Sequence, residues 1–341
     1  MSPNSNVKFT LAVDDFDSVI TYANQSHWTT PDPSAAPDPA LNIWFDATYH
    51  RTNVSGASFS FDFKGSQISL YGAAGPAFGS YEIDIDGWVE THSAHIAKNV
   101  SGYPLFSTDT LSYTDHTVKV TNLGAKHRGE GTDFLVDLIK TTVDIAPAGQ
   151  VATLTNSTLE ETDPRLVYTG NWTENVFNPK FSGNYSRYTN GDGASVSLNF
   201  TGTALFIFGD KTDRHGLYTV TLDNRAPQTF NGVSGCGGAF AHACEKDNTL
   251  AFFAANLNQG QHSVKVTNIP GELGAYFDLD AIVITTPSEY LPAHKGVARA
   301  IGRRSSMAGA AAHAPGVNHL QYGVLLLFLA GVLLLGRSLR R

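Results

Sequence analysis

The 341-residue chain has only two cysteines and two methionines, and no more than 16 % of it is charged. Motifs that mark an enzyme are also missing. There is no G-x-S-x-G elbow, no H-E-x-x-H and no phosphate-cradling glycine loop; "GCGGAF" lacks the G-x-G-x-x-G spacing. Asp84 and Asp86 lie two apart on an outward strand face, a solvated arrangement and not a catalytic pair. The expectation is a protein without catalytic machinery. No stretch has convincing amphipathic helical periodicity, and 11 % aromatics with 32 Gly argue against disorder or coiled coil. A basic stripe is absent as well. Residues 288–341 hold seven Lys/Arg against one acid, so a net charge of −8 leaves −14 on residues 1–287. So acidic a body is unsuited to nucleic acid, whose affinity comes largely from phosphate neutralisation.

What is present is a repeat. "GASFSFDFKGSQISLYG" (56–72) returns as "GASVSLNFTGTALFIFG" (193–209), with Gly56 and Gly193, Phe63 and Phe200, and Gly72 and Gly209 each 137 apart. Around it the order of parts is kept. Acids open each copy (Asp14 and Asp15; Glu160 and Glu161), followed by Tyr22 or Tyr168 and Trp28 or Trp172. "HTVKVTN" (116–122) matches "HSVKVTN" (262–268), and "FLVDLI" (134–139) matches "FDLDAI" (277–282). Phe59, Phe61 and Phe63 alternate with polar residues, as Val196, Leu198 and Phe200 do, which is the period of a half-buried strand. Short strands with Gly, Asn and Asp turns predict an all-β protein of two tandem jelly-roll sandwiches, over 8–145 and 155–287.

The C-terminal part reads differently. Residues 288–319 form a stalk, and residues 320–336, "LQYGVLLLFLAGVLLLG", run uncharged to a basic tail at 337–341. A helix of that length spans roughly 25 Å, close to a ~30 Å hydrocarbon core, so a membrane is the expected partner. Either a single transmembrane helix or a lipid-anchor signal fits. The N-terminus, "MSPNSNVKFTLAVDD", shows no secretory signal, which would suit a tail-anchored cytosolic body. Against that stand seven N-x-S/T sequons, at Asn24, Asn53, Asn99, Asn156, Asn171, Asn184 and Asn199. Asn199 sits in outward strand phase, where a glycan can be carried, and the body is expected to be extracytoplasmic. Cys236 and Cys244 form a C-x₇-C pair that matches no zinc spacing; in an oxidising compartment it reads as a disulfide closing a Gly-rich loop.

The acidic opener, I-x-Y, Trp, "GASFSFDFKGSQISLYG", "GxHxVxVTN" and closing F-x-x-D-x-I together resemble galactose-binding-like jelly rolls. More closely, they resemble the paired ectodomains of single-anchor membrane proteins of mushroom-forming fungi, over residues 13–287. The resemblance implies a surface-displayed, non-catalytic protein that binds carbohydrate through its loops. The alternatives are an adhesive ectodomain with a protein partner and a hydrolase of wall polysaccharide, which needs a convergent carboxylate pair.

Three groups of residues are candidates for a site. Asp137 and Asp280 share strand phase with Ile139 and Ile282, so both should be buried and need partners. With Asp15 and Glu161 they suit a structural calcium ion of the kind such modules hold; the alternative is that each caps a turn through backbone amides. The segment "GDKTDRHG" (209–216) is read as an eight-residue loop between flanking glycines, with Asp210, Asp213, Arg214 and His215 facing either sugar hydroxyls or solvent. Trp28 and Trp172 recur and are assigned to the core. Trp44 and Trp88 do not, and suit sugar stacking or cover of the other domain.

Overall fold

The computed structural model describes residues 7–32, 39–146, 154–234, 245–269 and 275–287. The stalk, the apolar run at 320–336, the basic tail and both cysteines lie outside these. Among the described residues the helical segments are short 3₁₀ turns, and no helix is long and apolar enough to cross a membrane.

The first repeat contributes β1 (Val7–Asp14), β2 (Ile20–Tyr22), β3 (His50–Thr52), β4 (Ser58–Gly65), β5 (Gln67–Ala74), β6 (Ser80–Ile85), β7 (Trp88–Ser93), β8 (Val100–Thr108), β9 (Thr114–Gly124) and β10 (Phe134–Ala146). They form two antiparallel sheets, β1-β10-β5-β8 and β2-β4-β9-β6-β7, with β3 on β10. The second repeat supplies β11 (Leu154–Glu160), β12 (Val167–Thr169), β13 (Thr173–Val176), β14 (Tyr185–Thr189), β15 (Ser195–Thr201), β16 (Ala204–Thr212), β17 (Leu217–Leu222), β18 (Gln228–Asn231), β19 (Glu245–Ala254), β20 (Gln261–Ile269), β21 (Phe277–Leu279) and β22 (Ala281–Pro287). Its main sheets run β11-β22-β16-β19 and β12-β15-β20-β17-β18. Strand for strand this is the order of the first repeat. The long β10 has become β21 and β22, parted at Asp280.

The alternation read from sequence sets the cores. Phe59, Phe61 and Phe63 are buried and Asp62 between them is exposed; Val196, Leu198 and Phe200 repeat this around exposed Asn199. Each such ring or branched chain contributes about 1.5–3 kcal/mol when taken from water. Polar details are duplicated too. Tyr22 Oη donates to the Asp15 carbonyl at 2.8 Å and Tyr168 Oη to the Glu161 carbonyl at 2.7 Å. Asn122 and Asn268 each donate through Nδ2 to two backbone carbonyls, so the strand ends they bridge are fixed alike.

Gly72 and Gly209 correct the reading of the intervening segment. Neither opens a flexible loop: each lies inside a strand, β5 or β16. A Cβ on Gly72 would sit 1.9 Å from the Leu135 carbonyl oxygen, and one on Gly209 2.4 Å from that of Asp278. Glycine is required here by close approach of a neighbouring strand, not by a turn.

The two sandwiches share one compact unit. Phe206 and Leu250 of the second repeat join the core cluster of the first, and Phe208, Phe253, Val283 and Leu154 pack against it. Phe9 meets Phe206 at 6.3 Å, and Phe61 stacks on Phe253 at 6.3 Å. The second-repeat residues among these lie on the sheet β11-β22-β16-β19. At the register-equivalent places of β5, β8 and β10 the first repeat has Ser69, Tyr71, Ser107 and Lys140. One sheet of the duplicated pair has therefore turned apolar where it is covered.

Candidate functional site

A cleft of about 630 Å³ opens where the repeats meet. One wall is the outward face of β4 and β9, with Ser60, Asp62, Lys64, Asp115 and Thr117, continuing to Asp86 at the β6–β7 turn. The other is built by Arg225, Gln228 and Thr229 around the β17–β18 turn, above the half-buried rings of Phe230 and Phe253. Asp62 Oδ1 accepts from Thr117 Oγ1 at 2.7 Å, and Asp86 Oδ1 from the Thr117 amide at 2.8 Å. Asp86 is held below the usual carboxylate range by its hydrogen bond from His116, 2.6 Å away. The cleft thus joins aromatic surface to fixed carboxylates, a guanidinium and an amide. That combination can stack a flat apolar ring face and bond hydroxyls at its edge.

Beneath the contact between the repeats lies a buried charged seam. Asp14, Asp15 and Asp17 of the first repeat are covered by Lys211 and Lys246 of the second, and all five are buried. Lys246 Nζ pairs with the Asp46 carboxylate, Asp17 Oδ1 accepts from the Leu250 amide at 2.7 Å, and Gln25 Nε2 donates to the Val233 carbonyl at 2.8 Å. Burial pushes Asp17 up to about 7 and pulls Lys211 down to about 8, the latter opposed by the nearby aspartates. Asp15 accepts from Thr48 Oγ1 at 3.0 Å and meets His50 Nδ1 at 2.6 Å. Burial raises that carboxyl and lowers that ring, so the contact is a hydrogen bond more than an ion pair. In the first repeat the residues equivalent to Lys211 and Lys246 are Ala74 and Val100. The two lysines of the seam are therefore present in the second repeat alone.

This overturns the exposed-loop reading of 209–216. Asp210, Lys211 and Thr212 continue β16, and the side chains of Asp210 and His215 are only 6 % and 7 % exposed. They face one another at 3.2 Å, and burial with Lys211 close by pushes His215 down to about 3. Asp213 is buried as well, and Arg214 is the one of the four that reaches the surface. Lys211 meets the acids of the docked first repeat, whereas Asp210 and His215 are enclosed by the second repeat's own strands, beside Glu245, Tyr276 and Asp278. Trp88 is 52 % exposed, on the β6–β7 hairpin where Asp86 and Gly87 both take positive φ, as its turn position suggests. Trp44 packs half-buried against the first core, edge-on to Tyr49 at 5.2 Å. Neither lines the cleft. Trp28 is buried in the core and Trp172 packs against the second one, as expected.

Asp137 and Asp280 are buried, yet their partners are turn amides. Asp137 Oδ1 accepts from the Phe45 amide at 2.8 Å and Asp280 Oδ1 from the Ser182 amide at 2.9 Å. Burial raises Asp137 to about 7 and Asp280 to about 8. The opening acids are neighbours across the ladder, with Asp14 opposite Leu138 and Glu160 opposite Ala281, but Asp15 is spent on Thr48 and His50. Glu161 is buried, and Glu160 Oε2 has no hydrogen-bond partner there. Calcium asks for six to eight oxygens. Among the described residues no three His, Cys, Asp or Glu side chains converge to hold an ion. All seven sequon asparagines are exposed.

No protein-family model matches the chain. It is 25 % identical over 237 residues to the A type blood α-D-galactosamine galactosaminidase of Flavonifractor plautii, a match covering 69 % of this chain and 20 % of that protein. The chain thus spans about a fifth of the length of the curated relative it matches. Among solved structures it is similar to a family 35 carbohydrate-binding module of Clostridium thermocellum, with 13 % identity, 38 % of this chain and 98 % of that one covered, and a TM-score of 0.28. An exo-β-1,3-galactanase of Phanerochaete chrysosporium, solved with β-1,3-galactotriose, matches at 16 % identity over 43 % of this chain and 37 % of that one, with a TM-score of 0.27.

Proposed function

We propose that the chain is a membrane-anchored carbohydrate-binding protein displayed at the cell surface, and that its ligand occupies the cleft between the repeats. The observation that carries this is the lining: Phe230 and Phe253 for ring stacking, flanked by Asp62, Asp115, Arg225 and Gln228 for hydroxyls. The relative's galactosamine-bearing substrate and the exposed sequons support a glycan-facing, extracytoplasmic body. A second reading, hydrolysis, is favoured by one finding. Asp62 and Asp86 are both bonded to Thr117, so two carboxylates do stand together in the cleft.

The test is retention of the full chain on immobilised β-1,3-galactotriose and on an α-galactosamine-terminated glycan. Arg225→Ala with Gln228→Ala should weaken retention about 10–100-fold, the loss of one or two polar contacts of 1.5–3 kcal/mol. Equal retention by the double variant would remove the cleft as the site. Release of reducing sugar, abolished by Asp62→Asn, would favour hydrolysis over binding alone.

A further inference from the structure

The cleft's rims are equivalent hairpin turns, one from each repeat, and a histidine ties each down in the same way. His116 Nδ1 lies 2.6 Å from Asp86 Oδ2, and its Nε2 lies 2.8 Å from the Ser112 carbonyl oxygen. His262 Nδ1 lies 3.0 Å from Asp223 Oδ2, and its Nε2 lies 2.8 Å from the Asn258 carbonyl oxygen. Even the ring packing is copied: Phe63 on His116 at 5.3 Å and Phe200 on His262 at 5.5 Å, both at 37°. The second oxygen of each aspartate takes a strand amide, Thr117 at 2.8 Å or Ser263 at 2.9 Å. Asp86 and Asp223 hold φ of 54° and 53°, the left-handed backbone that a tight hairpin turn requires.

Carboxylates and carbonyls only accept, so a ring makes both contacts at once only by donating from both nitrogens. Around His116 stand Asp86 on the turn, Asp62 and Lys64 on β4, Asp115 beside it on β9, and Arg225 across the cleft. Burial opposes its charge, but the Asp86 carboxylate and the Ser112 carbonyl outweigh it and hold the ring above its ordinary value. Around His262 stand Asp223 and Arg225, while β15, which packs against it, carries no charged side chain.

We propose that His116 and His262 are positioning residues for the cleft: each ring bridges its turn aspartate to a loop carbonyl, His116 by donating through both ring nitrogens, and together they hold the two rim turns, and Arg225 with them, at the spacing a bound glycan requires. The inference rests on the cleft reading above. Loss of one ring proton breaks one of the two ties, so the rim loosens as pH rises past the His116 titration.

The experiment is an NMR titration of the full chain in detergent between about pH 5 and pH 9, the range in which histidine changes charge. The His116 ring nitrogens and the rim amides are followed, with β-1,3-galactotriose affinity measured alongside. His116 should carry two ring protons at the acid end. On its deprotonation the amides of Asp86, Gly87 and Thr117 should shift with the same midpoint, and the affinity should fall at least about threefold. His116→Gln, which cannot titrate, should bind weakly at every pH. Affinity that stays level while His116 titrates overturns the proposal, as do rim amides that ignore the titration. Absence of binding at every pH is failure of the cleft reading instead, and the rim amides still decide the tether.

Discussion

The carboxylate of Asp17 accepts the backbone amide of Leu250 at 2.7 Å, joining residues 233 apart across the contact of the two repeats. It does so within a seam whose described lysines are Lys211 and Lys246. Taking one partner from a buried charged set leaves the others uncompensated, at a cost of about 3–5 kcal/mol. Lys211→Ala is expected to destabilise the chain by that amount in urea melts. Because the core is shared, the repeats should still unfold in one transition. Two separated transitions in the unsubstituted protein would show that the seam does not couple them.

Gly72→Ala and Gly209→Ala should each cost about 3 kcal/mol or more, since the new methyl meets a backbone carbonyl that cannot move aside cheaply. Gly56→Ala is the control. Its φ is +87° with nothing within 4 Å, so only backbone strain of about 1–2 kcal/mol applies. Equal losses at Gly56 and Gly72 in thermal melts would contradict the close-approach account.

Asp137 and Asp280 give a pH dependence of known sign. Their folded values are raised, to about 7 and about 8, by burial. The stability tied to their protonated forms is complete below their unfolded values and is lost as pH rises through 7 to 8. The double variant Asp137→Asn, Asp280→Asn keeps an acceptor for Phe45 and Ser182. It should raise Tm relative to the unsubstituted chain above that range and flatten the profile across it. A profile of unchanged steepness would sink the assignment.

The exposed sequons predict that the chain isolated from its native cells shifts on a gel after peptide N-glycosidase treatment. No shift, with the body open to protease from the cytosolic side, would reverse the proposed orientation.

Much of the fold was legible because alternation and a constant offset of 137 are properties of the chain itself. The burial of Asp137 and Asp280 followed from strand phase in the same way. The fate of Asp210, Lys211 and His215 did not. A short charged stretch beside glycine looks solvated until other strands cover it: the first repeat's aspartates meet Lys211, and Asp278 and Tyr276 of the second repeat lie beside Asp210 and His215. One signal was present and unread. Phe206, Phe208 and Phe253 replace Ser69, Tyr71 and Ser107 at equivalent places, and apolar substitution on one outward face of a duplicated sheet marks the face that is covered. The cleft follows from that packing, which is why Arg225, Gln228 and Phe230 drew no attention in sequence.

The most direct measurement is a crystal structure of the chain with a retained oligosaccharide. The account predicts a sugar ring within about 4–4.5 Å of Phe230 or Phe253, its hydroxyls bonded to Arg225, Gln228 or Asp62. A sugar seated instead on Trp88 or beside Arg214, with none between the repeats, would contradict it.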